Sequence, residues 1–199
     1  MSMTLVLVTL GDAGIARVLD DPPLVWRVIA PANSEIYREA CDTASKGEHI
    51  SGLPGLKETQ PADFKLSNSE GFETDLGKSW HGIHYLFNGT IWEGKHPLDF
   101  LVNAGRPVGD IDAGYGPVRT FTAAEVRTIR EAVEALTDDE LRARFDPTDM
   151  IEKDIYPGNW DRDPGEDDTL GYLIENVQLL RSFLGRAVET GTGAVVYLA

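Results

Sequence analysis

The strongest constraint on the fold is a pair of apolar patterns near the C-terminus of this 199-residue chain. One face of a long helix is indicated by apolar residues that recur at alternating spacings of three and four. These residues are Leu170, Leu173, Val177, Leu180, Leu184 and Ala187. Gly191 and Gly193 follow, and the unbroken apolar run from Ala194 to Leu198 is typical of a buried strand. The sequence therefore predicts a core helix that ends at a glycine and leads into a strand.

The N-terminal segment predicts a strand followed by a helix. Thr4 to Leu10 is rich in Leu, Val and Thr, which favour strands, and the run ends at Gly11. Asp12 then begins a helix that continues through Leu19. Each end of the chain thus contributes one strand.

The middle of the chain contains several helix and strand signals. Two segments carry the capping-box pattern, a threonine followed three residues later by a glutamate: Thr122 to Glu125 and Thr137 to Glu140. The other predicted elements are a helix from Ser34 to about Lys46, a helix from Pro97 to Gly105, a strand from Val118 to Phe121 and a helical turn after Asp146. Residues 47–74 have no periodic pattern and are predicted to form an excursion over the surface.

These elements predict a single compact α+β domain over residues 1–199. We expect a small mixed β-sheet with several packed helices, and the N-terminal and C-terminal strands both lie in that sheet. The composition is that of an ordinary globular protein, with 42% hydrophobic and 26% charged residues.

The charge balance excludes several classes of partner. The chain has 33 acidic and 18 basic side chains and a formal net charge of -15, which opposes binding to nucleic acid and to anionic membranes. The start of the chain lacks the basic region of a signal peptide, so we expect a cytoplasmic protein. Cys41, the only cysteine, has acidic neighbours that disfavour a thiolate, and it is predicted to be an inert packing residue.

A short central helix is the first candidate site. Asp75 is placed to cap this helix and Gly89 follows its end. Its apolar face consists of Leu76, Trp80, Ile83 and Phe87. His81 and His84 are three residues apart beside that face, with Tyr85 nearby, so the two imidazoles can converge on one ligand.

The chemistry of the two histidines stays open at this point. They could share a metal with a third ligand such as Asp110, Asp112 or His96, bind an anion when protonated, or act as acid and base. The simpler alternative is structural, with His84 hydrogen-bonded inside the domain and His81 half exposed. Because no metal-binding or nucleotide-binding motif is complete, we predict no metal and no cofactor.

A glycine-rich segment is the second candidate site. Residues 106–117 contain three glycines and two prolines, and they predict a turning loop at the edge of the sheet. Asp110, Tyr115 and Arg119 would present side chains there, and glycine allows a ligand to approach the backbone closely. The segment lacks the full patterns of a dinucleotide-binding or phosphate-binding loop.

An acid-rich stretch is the third candidate site. Residues 138–168 include twelve acidic and four basic side chains, with Tyr156 and Trp160 among them. Such a stretch either keeps a surface solvated or docks a basic protein, and the two aromatic residues suit an interface or the core.

Three segments read together resemble the YfbM-like family of bacterial proteins. They are residues 78–89 (KSWHGIHYLFNG), 107–119 (PVGDIDAGYGPVR) and 154–160 (DIYPGNW). The resemblance extends over nearly the whole chain. It implies a compact α+β domain of unknown function in a bacterial cytoplasmic protein, with the three segments around one site, and it brings no established reaction or cofactor.

The leading hypothesis is therefore a binding or protein-interaction module with a cleft near His81 and His84. An immunity-type inhibitor of a toxin is one form that the acidity would suit. The expected ligand-binding residues are His81, His84, Tyr85, Asp110, Tyr115, Arg119, Tyr156 and Trp160. The alternative is a small hydrolase-type enzyme that uses His81 and His84 as acid and base or as metal ligands.

Overall fold

The structure, a computed structural model, describes residues 2–32, 64–163 and 165–199. In chain order the elements are β1 (Leu5–Leu10), α1 (Asp12–Asp20), a 3-10 helix (Pro22–Val25), α2 (Trp26–Ile29), β2 (Glu73–Asp75), a second 3-10 helix (Gly77–Ser79), α3 (Trp80–Asn88), β3 (Arg106–Asp112), β4 (Pro117–Phe121), α4 (Ala123–Glu134), α5 (Asp138–Ala143), α6 (Pro147–Glu152), α7 (Thr169–Thr190) and β5 (Gly193–Leu198). The predicted helix from Ser34 to Lys46, Cys41 and residues 47–63 lie outside the described residues.

The described strands form one sheet in the order β2-β1-β5-β4-β3. β1 and β5 are its centre, paired over their full length from Leu5 opposite Leu198 to Leu10 opposite Gly193. The predicted α+β class is confirmed, as is the presence of both terminal strands in the sheet. The pairing is antiparallel throughout these strands, so the predicted mixed sheet was wrong in this detail.

Both faces of the sheet are covered, which explains the unbroken apolar runs of β1 and β5. Successive strand residues point to opposite faces. Leu5, Leu7 and Val196 pack with α3, α4 and α7, whereas Val8 and Val195 pack with α1 and the segment that follows it. A strand buried on both faces shows no alternation of polar and apolar residues.

The two capping boxes and the apolar stripe of the long C-terminal helix are confirmed by the structure. Thr122 and Thr137 each accept a hydrogen bond from the backbone N–H three residues on, and both capping boxes are complete. In α7 the predicted apolar stripe is buried except at Leu170, which is partly buried. Gly191 ends α7 in the left-handed conformation, with φ of 66°.

The predicted helix from Pro97 to Gly105 was wrong. Residues 96–103 form successive turns instead. The carbonyls of Phe100, Leu101 and Ala104 accept hydrogen bonds from the Arg119 guanidinium. A charged donor on β4 therefore holds the backbone of this segment in its turns.

The predicted loop at residues 106–117 was also wrong, because most of it is strand β3. β3 lies at the edge of the sheet, and its register with β4 shifts between Pro107 and Asp112. Gly109, with φ of 52°, lies within that irregularity. Proline and glycine are tolerated in an edge strand at a bulge, so the composition that suggested a loop is compatible with a strand.

Residues 64–74 are the described part of the predicted excursion, and they contact the domain closely. Glu70 Oε1 accepts a hydrogen bond from the Gly11 N–H at 2.7 Å. Phe64, Leu66 and Phe72 are partly buried against the two cores. These contacts connect the described part of the predicted excursion to the domain. Within the described ranges, no helix is both long and apolar enough to cross a membrane.

Candidate functional site

The helix α3 is enclosed on all sides by the domain. Asp75 Oδ1 accepts a hydrogen bond from the Gly77 N–H at 2.7 Å and starts the short 3-10 turn before α3. Gly89, with φ of 73°, ends the helix in the left-handed conformation. The four residues predicted to form the apolar face are buried, and so are His81 and His84. The expected half-exposed position of His81 is wrong, since only 2% of this residue is exposed.

His81 is held through both of its ring nitrogens. Its Nδ1 accepts the backbone N–H of Tyr156 at 3.0 Å, and its Nε2 lies 2.9 Å from the carbonyl oxygen of Ile91. A backbone N–H can only donate, so Nδ1 carries no hydrogen and Nε2 donates to Ile91. His81 is therefore a neutral imidazole. Burial lowers its pKa, and the hydrogen bond to Ile91 opposes that effect.

His84 is held in a similar way one turn later. Its Nε2 lies 3.1 Å from the carbonyl oxygen of Glu93, and its Nδ1 lies 3.3 Å from Asn88 Nδ2. The orientation of the Asn88 amide is fixed because Oδ1 accepts from the Lys95 N–H and Nδ2 donates to the Leu98 carbonyl. Burial, together with nearby His81, lowers the pKa of His84 to about 4.

These hydrogen bonds limit the chemistry of the two imidazoles. The ring centroids of His81 and His84 are 6.5 Å apart, yet all four ring nitrogens contact polar atoms of the domain. Proton transfer or metal binding at His81 would first have to break a hydrogen bond to the backbone. Among the described residues, no group of three or more His, Cys, Asp or Glu side chains is arranged to hold a metal ion.

An aromatic cleft lies beside His81. Its volume is about 380 Å³, and it is lined by Met3, Trp80, His81, Trp92, Ile151, Asp154, Tyr156, Pro157 and Gly158. We refer to these residues as the aromatic cleft. The His81 ring stacks with both Trp80 and Trp92, with centroids 4.8 and 4.7 Å away, and Tyr156 stacks on Trp80 at 6.0 Å. Trp92 is 51% exposed, whereas Trp80 is buried.

The turn that forms one wall of the cleft is held by buried contacts. Trp160 Nε1 donates to the Ile155 carbonyl at 2.7 Å, and the Tyr156 hydroxyl accepts from the Met3 N–H at 2.9 Å. Gly82 of α3 lies directly against Trp160, because a Cβ at this position would come within 2.7 Å of its ring. The absence of a side chain at Gly82 thus allows α3 and the turn to approach each other.

Two of the eight predicted ligand-binding residues, His81 and Tyr156, line the aromatic cleft. His84 is buried behind His81, and the Tyr85 hydroxyl donates to Asp149 Oδ2 at 2.6 Å. Trp160 is buried under the turn. These contacts give His84, Tyr85 and Trp160 structural partners within the domain.

The remaining predicted residues lie on the β3–β4 hairpin and do not line the aromatic cleft. Asp110 is exposed on β3, and Tyr115 is partly exposed in the turn between the strands. Arg119 is buried, and its Nη1 donates to Phe100 and Ala104 while Nη2 donates to Leu101, at 2.6 to 3.0 Å. Burial lowers the pKa of Arg119 to about 10, so it stays charged at neutral pH.

Sequence reasoning did not name Met3, Trp92, Ile151 or Asp154 of the cleft as ligand-binding residues. It also assigned Trp80 to the core alone, although this ring lines the cleft as well. Trp92 carried a signal, because a tryptophan stands there in a polar segment without apolar periodicity. Asp154 begins the segment 154–160, which the family resemblance had placed at the site. Met3 and Ile151 carried no signal, since their positions at the cleft depend on the packing of distant segments.

Much of the acidic stretch from 138 to 168 is used inside the domain. Glu140 completes a capping box, Asp146 accepts from two N–H groups at the start of α6, and Asp168 accepts from Gly171 at the start of α7. Asp138 bonds to Arg181 and Gln178. Negative charge at a helix start is stabilising, so part of this acidity has a structural role.

Comparison with known proteins places the chain in a family. The family model for the domain of unknown function DUF1877 matches residues 1–197. The chain belongs to this family. The crystal structure of YfbM from Escherichia coli, a protein of unknown function, is similar to this DUF1877 chain, with a TM-score of 0.62 and 18% sequence identity. The match covers 98% of this chain and 99% of that one.

The predicted resemblance to the YfbM-like family is thus confirmed. At this identity the likeness to YfbM concerns the fold. No curated protein sequence matches the chain. DUF1877 is described as a domain of unknown function. The function of this member must therefore be argued from its own aromatic cleft.

Proposed function

We propose that this DUF1877 protein is a binding module and that the aromatic cleft holds its ligand. The single observation that carries the proposal is the exposed Trp92 ring stacked over His81 at the mouth of this cleft. An exposed indole is unfavourable in water, and aromatic side chains are enriched where ligands and partners bind. The volume of about 380 Å³ suits a small molecule or one side chain of a partner.

The buried indole of Trp80 is part of the cleft wall. The Nε1–H of Trp80 is buried and has no hydrogen-bond partner among the described residues. A buried donor without an acceptor costs free energy, on the order of 1–3 kcal/mol. Among the described residues, the wall of the cleft therefore carries a cost in stability.

In this proposal His81 and His84 build the cleft rather than react in it. His81 connects α3 to Ile91 on one side and to Tyr156 on the other, so it holds both walls at a fixed separation. A binding site needs such rigid support, because a preorganised wall loses little entropy when the ligand arrives. An acid–base role would need the same nitrogens to be free.

The test is a fragment screen by thermal shift and NMR on the full chain, in which the indole N–H signals of the four tryptophans are followed. We expect hits to shift the Trp80 and Trp92 signals and to raise the midpoint of unfolding. Trp92→Leu should abolish the shifts and remain folded. Leu179→Ala is the matched control, since Leu179 is 49% exposed on α7 and does not line the cleft.

Two outcomes would contradict the proposal. One is a set of hits that bind Trp92→Leu as tightly as the unmodified protein. The other is a set of hits whose chemical-shift changes map to another surface and leave the Trp80 and Trp92 signals unchanged.

A further inference from the structure

The charge of the cleft lining favours a positively charged ligand over a negatively charged one. The lining residues that belong to the described ranges include one carboxylate, that of Asp154, and no lysine or arginine. His81 adds no charge, because its Nδ1 accepts a backbone N–H. An anionic ligand would find no cation in the wall, whereas a cation would find a carboxylate. The net charge of -15 also raises the concentration of cations near the surface.

The aromatic rings of the cleft offer faces that attract cations. Trp80, Trp92 and Tyr156 lie together, with the Trp80 ring 6.4 Å from Trp92 and 6.0 Å from Tyr156. The face of an aromatic ring carries partial negative charge, and tryptophan attracts cations most strongly. Aromatic cages of this kind recognise quaternary ammonium groups in other proteins.

Within residues 2–32, 64–163 and 165–199, the cation–π contacts are made with other rings. In the described part of the chain, arginines lie over other rings: Arg186 over Phe72 at 4.3 Å and Arg17 over Phe64 at 4.9 Å. None of the described arginines or lysines lies over the rings of the aromatic cleft. The described arginines thus cover aromatic rings elsewhere, and none of them covers the exposed Trp92 ring.

Asp154 completes the arrangement. It is the only described non-glycine residue with a positive φ, at 52°, and it is exposed at the cleft. No described lysine, arginine or histidine nitrogen lies within 4.0 Å of its carboxylate, in contrast to Asp149, which is paired with Lys153. Aspartate and asparagine tolerate this backbone conformation better than most residues.

We infer that the aromatic cleft binds an organic cation, with a methylated ammonium group against Trp92 and Tyr156 and its charge balanced by Asp154. This inference rests on the proposed function, since it names the ligand class of the same cleft. A hard metal ion would need several oxygen ligands, and the cleft has one carboxylate. The thioether of Met3 is polarisable and suits contact with methyl groups.

The test compares choline with its uncharged isostere, 3,3-dimethylbutan-1-ol, by titration calorimetry and indole NMR at low salt. The two compounds have nearly the same shape and differ in the charge at one atom. We expect choline to bind at least tenfold more tightly and to shift the Trp80 and Trp92 signals. Added salt should weaken choline binding, because part of the attraction to Asp154 is electrostatic.

Two variants separate the contributions of charge and aromatic face. Asp154→Asn keeps the size and the backbone tolerance of the residue, and it should weaken choline binding about fivefold or more without affecting the alcohol. Asp110→Asn is the matched control, because it removes the same charge from an exposed site on β3. Trp92→Leu should abolish binding of both compounds. Thermal unfolding of each variant establishes that it is folded.

The same cationic group can belong to a free metabolite or to a methylated side chain of a protein. A third arm therefore titrates a short peptide with one trimethylated lysine. We expect choline to bind at least as tightly as the peptide, since the cleft is small. Much tighter binding of the peptide would overturn the assignment to a small molecule, but it would still support a cationic ligand.

The possible failures can be told apart. Choline and the alcohol could bind equally at the cleft, with Trp92→Leu abolishing the binding of both. In that case the inference of a cationic ligand is wrong and the proposed binding function is supported. If Asp110→Asn weakens choline as much as Asp154→Asn does, the effect is one of net charge and the inference is wrong. If neither compound shifts the tryptophan signals, the inference of a cationic ligand is wrong, and the proposed binding function is then tested by the fragment screen alone.

Discussion

The connection between α3 and β3, residues 89–105, is held from two sides by different chemistry. On one side, two neutral imidazoles of α3 form hydrogen bonds with carbonyls of this connection, His81 with Ile91 and His84 with Glu93. On the other side the charged Arg119 of β4 donates to three carbonyls. The neutral side includes His81, which lines the aromatic cleft, whereas Arg119 of the charged side does not line it. Residues that look catalytic in the sequence thus serve here to fix an irregular segment of backbone.

The largest effect on stability should come from the charged side. Arg119→Leu would leave three carbonyls without their donor inside the domain. We expect a loss of roughly 3–5 kcal/mol in the free energy of unfolding, because each unsatisfied buried polar group costs about 1–3 kcal/mol. Denaturant unfolding measures this value.

Arg106→Leu is the matched control for Arg119. Arg106 lies on the neighbouring strand β3 and is exposed, so its replacement should change stability by no more than about 0.5 kcal/mol. A loss of less than about 1 kcal/mol for Arg119→Leu would show that the three hydrogen bonds do not hold the segment.

A smaller effect is expected at the neutral side. His81→Phe keeps an aromatic ring against Trp80 and Trp92 and removes the partners of the Ile91 carbonyl and the Tyr156 N–H. The expected loss is roughly 2–3 kcal/mol, since two backbone groups lose their partners. The same substitution at His96, whose side chain is 69% exposed, should be nearly neutral. Equal effects at the two positions would argue against the structural role of His81.

The stability contributed by the neutral side, through His84, should depend on pH more than that contributed by Arg119 on the charged side. The pKa of His84 is about 4 in the folded protein, against an ordinary value of 6.5, so the unfolded chain binds a proton more readily between these values. The stability that His84 contributes is complete above pH 6.5 and is lost as pH falls toward 4. We expect a loss of about 1–2 kcal/mol between pH 7 and pH 5.

His84→Gln isolates this contribution, because glutamine does not titrate and the remaining groups are unchanged. The difference in stability between the two proteins should narrow as the pH falls from 7 to 5. A difference that is constant over this range would mean that His84 titrates normally in the folded protein.

The smallest effect should come from the exposed wall of the cleft. Trp92→Leu removes a ring that is 51% exposed and stacks on His81, so we expect stability to fall by less than about 1 kcal/mol. Thermal unfolding checks this value. A loss as large as that of Arg119→Leu would make Trp92 a structural residue and would remove the main support for a binding cleft.

The parts of the fold that could be predicted are those that local physics decides. The threonine and glutamate of each capping box satisfy each other within four residues, and the stripe of α7 reflects one buried helix face. β1 and β5 are apolar because both faces of the sheet are covered. In each case neighbouring residues in the chain carry the whole signal.

The parts that could not be predicted depend on partners distant in sequence. Nothing around Pro97 indicates that Arg119 takes the carbonyls of Phe100 and Leu101, so a helix was the natural local prediction. The spacing of His81 and His84 is equally compatible with a ligand site and with hydrogen bonds to backbone. Tyr156, which donates its N–H to His81, lies 75 positions further along the chain.

The most direct test is the protonation state of the α3 imidazoles, measured by long-range proton–nitrogen NMR on the full chain. We predict that His81 and His84 are both neutral at pH 7 with the hydrogen on Nε2, and that His84 titrates near pH 4. The spectrum should not change when zinc is added. A hydrogen on Nδ1 of His81, a pKa of 6.5 or higher for either ring, or a zinc-induced shift of both would contradict the account.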